Sequence, residues 1–341
     1  MEPKERKLRI LAHIIESYAD AGEPVGSKTL AELLGGSVSS ATVRSDMSVL
    51  ADSGYLEQPH ASAGRVPTQK GYRFYVDRLM SRRTLPQDLM HDIDVQLTTY
   101  SMDPDNFLVT AAESLSEMTG MAAVVTTPSD KGAKVQGLEL MPTGSHSCLM
   151  IMLIAPSMLR TRLCRVGAEL DDDILTAMRQ LLRDAVCGKQ VSEINGRLMG
   201  TIRQMLGSLS GAMEPLLSAV RDAARGAESV DITTCGLAKL FSIEDTDISR
   251  DIISFLSDSE RFGELIASRT GTMNVAIGRE MEPFEMREAS MITARYRGGV
   301  GAAGWVGVVG GTRVNYAKII PHIEYFATAV GRMMSAISDN A

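Results

Sequence analysis

Residues 22–75 read GEPVGSKTLAELLGGSVSSATVRSDMSVLADSGYLEQPHASAGRVPTQKGYRFY, and their pattern of caps, turns and apolar runs predicts the fold of the N-terminal part of the chain. Ser27 precedes a short apolar run, where its hydroxyl can cap the first turn of a helix. The glycine pair at 35–36 permits the backbone of a sharp turn. Ser39 or Ser40 is then placed to cap the next helix. The stretch therefore predicts two helices joined by a tight turn.

The segments on both sides of this helix pair extend the pattern. Upstream, apolar residues recur every three or four positions from residue 5 to 20, which predicts another amphipathic helix. Downstream, two short strands flank the small-residue loop at 59–64, and Thr68 is placed to cap a helix that we expect to reach Arg83. Three helices followed by a hairpin, or wing, are typical of a winged helix-turn-helix, which reads double-stranded DNA. We assign this fold to residues 1–84.

The helix that we expect to end near Ser53 is the candidate recognition helix, because such helices contact bases mainly from their first turns. Arg44 can pair with guanine, and hydroxyl side chains can bind phosphates or bases. Arg65 in the wing can reach the negative potential of a minor groove. A surface ion pair of Arg44 with Asp46 or Asp52 is the alternative. The predicted DNA-contacting residues are Lys28, Ser39, Ser40, Thr42, Arg44, Ser45, His60, Ser62, Arg65 and Lys70.

The charge of the chain is unevenly distributed. The 341 residues carry a net charge of -7, but residues 1–84 hold 12 lysines and arginines against 10 acidic residues, and the remainder holds 23 against 32. This change of sign predicts a domain boundary, and basic residues on the N-terminal side suit the neutralisation of DNA phosphates. A solvated face is the alternative reading of such clustering.

The composition of the chain argues against a membrane protein, a secreted protein and a metal-binding protein. Hydrophobic residues make up 44% and charged residues 23% of the chain, and no apolar run approaches the ~18 residues of a membrane span. The charged N-terminus has no secretion signal, so we expect a cytoplasmic protein without a membrane partner. The four cysteines are widely spaced and have no metal-ligand pattern, so we expect neither metal nor cofactor.

The rest of the chain mixes strand-like and helical patterns. Residues 85–104 read as a linker with some helix. Beyond them, runs typical of strands occur on both sides of a long helical stretch, as if one sheet were interrupted by an insertion. We expect 105–170 and 266–341 to be the two halves of one α/β domain, and 171–265 to be the inserted, mostly helical segment. The predicted fold class is therefore multidomain α+β.

At this point the sequence resembles the heat-inducible transcription repressor family HrcA. The similarity rests on GEPVGSKTL at 22–30, on SSATVRSDMSVLADSGYLEQPHASAGRVPTQKGYRFYVDRL at 39–79, and on IGRE at 277–280. The stretch GVVGGTRVNY at 307–316 also matches in outline. The motifs at both ends extend the resemblance over nearly the whole chain.

The resemblance implies a repressor that binds an inverted repeat, the CIRCE operator, upstream of the chaperonin and DnaK operons. It also implies a homodimer, because a two-fold operator mirrors a two-fold protein. The implied build is a winged helix, a GAF-like domain and a dimerising segment inserted within that domain. Repression in the family depends on the chaperonin GroEL and is relieved when heat-damaged proteins occupy it.

Two other classes of function differ in how far the sequence supports them. A GAF-type regulator controlled by a small molecule is the alternative, since GAF folds elsewhere bind nucleotides or chromophores. An enzyme is not expected: the sequence contains no nucleophile elbow, no HExxH and no Walker loop, and its five histidines follow no triad order.

Overall fold

A computed structural model describes the chain at residues 2–81, 84–99, 104–127, 132–154, 158–228, 231–242, 246–284, 286–298 and 302–339. Its α-helices are α1 (Pro3–Ala21), α2 (Ser27–Leu33), α3 (Ser40–Asp52), α4 (Gln69–Phe74), α5 (Gln87–Thr99), α6 (Pro104–Thr119), α7 (Asp172–Val186), α8 (Gly196–Leu206), α9 (Ser210–Glu228), α10 (Thr246–Ser257), α11 (Ser259–Ser268) and α12 (Tyr316–Asp339). Its strands are β1 (Leu56–Glu57), β2 (Val66–Pro67), β3 (Ala122–Thr126), β4 (Val135–Gly144), β5 (Ser147–Ile154), β6 (Met158–Arg165), β7 (Ile232–Cys235), β8 (Met273–Ile277), β9 (Ala289–Arg297) and β10 (Ala303–Gly311). The fold is thus mixed α and β.

The N-terminal unit comprises α1 to α4 with the antiparallel hairpin β1–β2. One stripe of α1 is fully buried and shares a core with Val43, Met47 and Leu50 of α3, as its apolar spacing predicts. The Ser39 and Thr68 caps are confirmed, since their side chains accept hydrogen bonds from Thr42 N and Gly71 N.

Two local predictions for this unit differ from the structure. The residue that precedes α2 is Gly26, so Ser27 lies inside the helix, where it makes no capping hydrogen bond with any residue that the structure describes. The helix after the wing does not run to position 83: α4 widens into a π-helical segment at Tyr75–Leu79, and Met80 is extended. Arg82 and Arg83 lie outside the described residues.

The central unit is built on an antiparallel five-stranded sheet with the order β7-β3-β10-β9-β8. Helices α5, α6 and α12 pack on one of its faces, whereas α10 and α11 pack on the other. Residue alternation explains the two layers: Ile292 and Val306 point to the first, and Met291 and Trp305 to the second.

The inserted unit has its own sheet and its own core. Strands β4, β5 and β6 form a three-stranded antiparallel sheet, and one face of it packs on α7, α8 and α9. The structure therefore corrects our expectation of a single interrupted sheet. The strands of 135–165 are joined by short connections and pair with one another, so they leave β3 to pair with β7 and β10.

Helix α5 lies within the span 85–104 that we predicted to be a linker with some helix. Ile93 and Leu97 are fully buried in the core that this helix shares with α12. Asp94 also accepts hydrogen bonds from Tyr325 at 2.9 Å and Arg332 at 2.7 Å. This helix is therefore part of the central unit.

Side-chain contacts fasten the N-terminal unit to the central unit. Gln69 donates to Arg287 O and accepts from Arg279 N, each at 3.0 Å. Arg73 donates to Val275 O at 2.8 Å and pairs with Glu280 at 3.1 Å. The position of α4 is therefore fixed relative to β8 and the segment that follows it.

Candidate nucleic-acid interface

The first turn of α3 presents polar side chains outward while its other side is buried. Ser39 and Thr42 share a 2.9 Å hydrogen bond between their hydroxyls, which orders the start of the helix. Arg44 and Ser45 are exposed, and Ser48 continues the same face one turn after Arg44. This surface has hydroxyl and guanidinium donors that can bond to the acceptors of base edges and phosphates.

Arg44 does not form the ion pair that we weighed as an alternative. Asp46 is 5% exposed and points inward, where its Oδ2 accepts a 2.6 Å hydrogen bond from Arg6 Nε of α1. This bond raises the pKa of Arg6. Within the described part of the chain, the Arg44 side chain makes no ion pair or hydrogen bond, Asp52 included. Its guanidinium is therefore available to an external acceptor.

The wing is held in shape by one amide side chain. Gln58 Nε2 donates to the carbonyls of Ala61 and Ala63, each at 3.0 Å. Both acceptors lie in the loop, so the amide closes it without help from a long strand pair. The predicted residues His60 and Ser62 are exposed at the tip of this loop.

Arg65 stands where the wing meets the body of the unit. Its backbone exchanges two 3.0 Å hydrogen bonds with Val25, and its side chain is half-buried. A Cβ on the preceding Gly64 would meet backbone atoms of Pro24 and Val25, so only glycine allows this close approach. The base of the wing is therefore tied to the segment before α2.

The two predicted lysines differ in position. Lys28 is exposed on α2. Lys70 Nζ donates to Ser53 O at 2.9 Å and lies 4.7 Å from the centre of the Tyr55 ring. Ser53 follows the C-terminal end of α3, about 20 Å along the helix axis from Ser40. The structure therefore brings Ser39, Ser40, Thr42, Arg44 and Ser45 together at the start of α3, but Lys70 lies at the other end of the helix.

Two contributors to this surface were not identified from sequence. Gln58 was read only as part of a strand, although an amide one residue before the proline of a tight loop is a usable signal of loop closure. Ser48 could have been found from its spacing of four residues after Arg44.

The described residues include neither a group of three or more histidine, cysteine, aspartate and glutamate side chains able to hold a metal ion nor a helix long and apolar enough to cross a membrane. The family model for the HrcA protein C terminal domain matches residues 105–320, which is more than half of the chain.

The chain belongs to the HrcA family.

Individual HrcA proteins match over almost their full length. A heat-inducible transcription repressor HrcA from Parafrankia sp. (strain EAN1pec) is 33% identical over 340 residues, which cover 98% of this chain and 99% of the relative. The same-named protein of Clostridium botulinum (strain Eklund 17B / Type B) is 30% identical over 321 residues, or 93% of each chain. Membership of this family makes the protein a transcription repressor and not an enzyme.

A solved structure supports the fold independently. It is a crystal structure at 2.2 Å resolution described as a hypothetical protein, and it superposes with a TM-score of 0.62 at 23% identity. The match covers 97% of this chain and 98% of the other. The order of units is thus shared from end to end.

Proposed function

We propose that the chain is a homodimeric repressor of chaperone operons that binds an inverted-repeat operator of the CIRCE type. The observation that carries this proposal is the unpaired Arg44 in the first turns of an exposed, well-capped helix beside an ordered wing. Residues 1–84 then act as a winged helix-turn-helix, the central unit as a GAF-like domain, and the inserted unit as the dimerising segment. The site of action is the bacterial cytoplasm, where operator and chaperonin are found.

The roles of the contact residues follow from their chemistry. Arg44 reads a guanine in the major groove, because a guanidinium can bond O6 and N7 together. The hydroxyls of Ser39, Ser40, Thr42 and Ser45 bind adjacent phosphates or bases. His60, Ser62 and Arg65 contact the backbone or the minor groove through the wing, and Lys28 contacts phosphate from α2.

The proposed dimer surface is the outer face of the three-stranded sheet. Cross-strand rows of apolar side chains cover it, with Met141, Leu149 and Leu163 in one row and Leu153 and Leu159 in another. Leu163 is 71% and Leu159 58% exposed, although both lie on regular strands. Apolar faces of this kind mark contacts with another protein. A second copy of the chain is the occupant that a two-fold operator requires.

The same face supports the proposed role of the chaperonin GroEL. A monomer that exposes these leucines is prone to aggregate, so chaperonin assistance raises the amount of paired, DNA-competent protein. When heat-damaged proteins occupy the chaperonin, unpaired repressor accumulates and the operons are expressed.

Footprinting of the protein on its own chaperone promoters tests target and regulation together. The expected result is protection of both halves of an inverted repeat, strengthened by added chaperonin. Leu163→Asp is expected to yield monomers in sedimentation and to lose protection of the operator, whereas Thr176→Asp, exposed on α7 on the other side of the sheet, serves as the matched control for added charge. Protection that is confined to a single half-site in the unaltered protein would contradict the proposal.

A further inference from the structure

Two cavities adjoin at the junction of the N-terminal and central units. The larger has a volume of about 810 Å³, and the smaller about 460 Å³. Tyr18, Glu288, Thr312 and Arg313 line both, so the cavities meet along one boundary. We call the larger one the junction cleft. Its volume lies within the usual range for small-molecule sites.

The junction cleft is rich in positive charge. Lys70 enters it from α4, and Arg279, Arg287 and Arg313 enter it from the central unit. Among the described residues that line it, Glu57 and Glu288 are the acidic ones. Nearby Arg73 is already engaged by Asp77 at 3.0 Å and by Glu280. The side chains of Arg279 and Arg313, by contrast, have neither an ion pair nor a hydrogen bond with any residue that the structure describes.

Tyr72 supplies a second, independent sign of a ligand. The residue is 3% exposed and lines the junction cleft, and its hydroxyl has no hydrogen-bond partner within the described residues. Burial raises the pKa of this hydroxyl and the charge of Arg313 acts in the opposite direction, so the guanidinium lies within electrostatic reach of it. A buried hydroxyl without a partner is costly, and an acceptor supplied by a ligand would remove that cost.

The junction cleft lies away from the base-reading end of α3, whereas Glu57, Val66 and Pro67 of its lining belong to the strands of the wing. Lys70 Nζ lies against Ser53 O, beyond the C-terminal end of α3. The first residue of α3 is about 20 Å away along the helix axis. A duplex that contacts Ser40 and Arg44 in its major groove therefore approaches the opposite end of this helix.

We infer that the junction cleft is a binding site for a small molecule that carries a phosphate group. A guanidinium can donate two hydrogen bonds to two oxygens of one phosphate. A phosphate offers three acceptor oxygens, and the donors Arg279, Arg313 and Tyr72 all line this cleft. The remaining volume, lined by Tyr18, Val66 and Pro67, accommodates the less polar remainder of such a ligand.

Occupation of this site would couple a ligand to the orientation of the DNA reader. The walls belong to two units that are joined by Gln69 and Arg73. A ligand that touches both walls favours the arrangement in which they are docked, to the extent that it binds this arrangement more tightly. This regulatory consequence rests on the proposed function, whereas ligand binding itself does not.

Calorimetric titration of the full chain without DNA tests the binding site, with inorganic phosphate and adenosine monophosphate as probes and adenosine as the uncharged control. Saturable binding of both phosphate probes, and weaker binding of adenosine, is expected. Arg313→Gln should lower the affinity for the phosphate probes about 10-fold or more, and Tyr72→Phe should lower it about 3- to 10-fold. Arg225→Gln, exposed on α9, is the matched control and should leave binding unchanged.

Tyr72→Phe removes only the partnerless hydroxyl and keeps the ring, so an unchanged melting temperature would show that the fold is intact. Absence of saturable binding by both phosphate probes would overturn the inference. The inference would also be overturned if Arg313→Gln and Tyr72→Phe left binding of the probes intact and instead weakened binding to DNA of every sequence. Loss of operator recognition alone would count against the proposed function and leave the calorimetric result standing.

Discussion

Arg6 Nε donates a 2.6 Å hydrogen bond to Asp46 Oδ2, and this bond joins the first turns of α1 to the hidden side of α3. Asp46 lies two residues after Arg44, so a carboxylate that faces inward and a guanidinium that faces outward alternate on the same helix. The inward pair and the buried residues Val43, Met47 and Leu50 lie on one side of α3 and together fix its rotation. Arg44 faces outward because it lies on the opposite side of the helix.

Arg6→Met is expected to destabilise the N-terminal unit, because it leaves the Asp46 carboxylate buried without its donor. The expected loss is about 1–3 kcal/mol in the free energy of unfolding, measured by chemical denaturation. Lys4→Met, exposed in the same helix, controls for the change of charge and side chain. Equal stability of the two variants would show that the pair contributes nothing beyond surface charge.

Arg44→Ala and Arg65→Ala are expected to affect DNA binding in different ways. Loss of Arg44 should weaken the free energy of operator binding by about 1–3 kcal/mol and relax the base preference at one position of each half-site, because a base contact is removed. Loss of Arg65 should weaken binding to DNA of every sequence alike, because a phosphate contact is removed. For the same reason, the slope of log affinity against log salt concentration should become shallower by about 1.

Binding of both variants to an operator library at several salt concentrations distinguishes these effects. Arg225→Ala, on the inserted unit, is the control. If Arg44→Ala retains full preference at every operator position, α3 does not read bases through this residue.

Gln58→Ala is expected to loosen the wing without unfolding the unit. The amide closes the loop through two backbone carbonyls, and the hairpin itself has only two residues in each strand. Without it the loop must be ordered on binding, which should weaken operator affinity by about 1 kcal/mol. Fluorescence anisotropy with labelled operator measures the change. Gln87→Ala, outside the wing, is the control, and an equal loss in it would refute a specific role for Gln58.

Local sequence signals predicted the N-terminal unit because its elements depend on neighbours in the chain. The spacing of Ile10, Leu11 and Ile14 and the caps at Ser39 and Thr68 are short-range properties, and the structure confirms them. The pairing of β3 is different. Its partners, residues 232–235 and 306–309, are more than 100 positions away, and strand pattern alone carries no information on such partners.

The candidate site was also predictable only where its residues depend on neighbours in the chain. Arg44 and the wing residues could be selected because a helix and its following hairpin fix their own exposure. Lys70 was selected for its charge alone, whereas its position depends on the packing of α4 against Ser53 and Tyr55. The sequence could not predict the junction cleft, because Tyr72 and Arg313 are brought near each other only by the packing of the N-terminal unit against the central unit.

The ion pair between Arg203 and Glu214 predicts how the inserted unit responds to acid. Arg203 Nε and Nη2 donate to the two carboxylate oxygens of Glu214 at 2.7 and 2.6 Å, which joins α8 to α9. These bonds lower the pKa of Glu214 in the folded protein. Its contribution to stability is therefore present above the unfolded pKa of about 4.3 and is lost as the pH falls through the lower folded pKa.

Glu214→Gln should thus be less stable than the unaltered protein at pH 7 and should approach it in stability as the pH falls below about 4. Because both side chains are partly exposed, the difference at pH 7 is expected to be at most about 1 kcal/mol. Urea unfolding at a series of pH values measures it, with Glu264→Gln on α11 as the control. A constant difference across the whole pH range would contradict the prediction, because only the loss of a charge-dependent contact makes the gap between the two proteins close in acid.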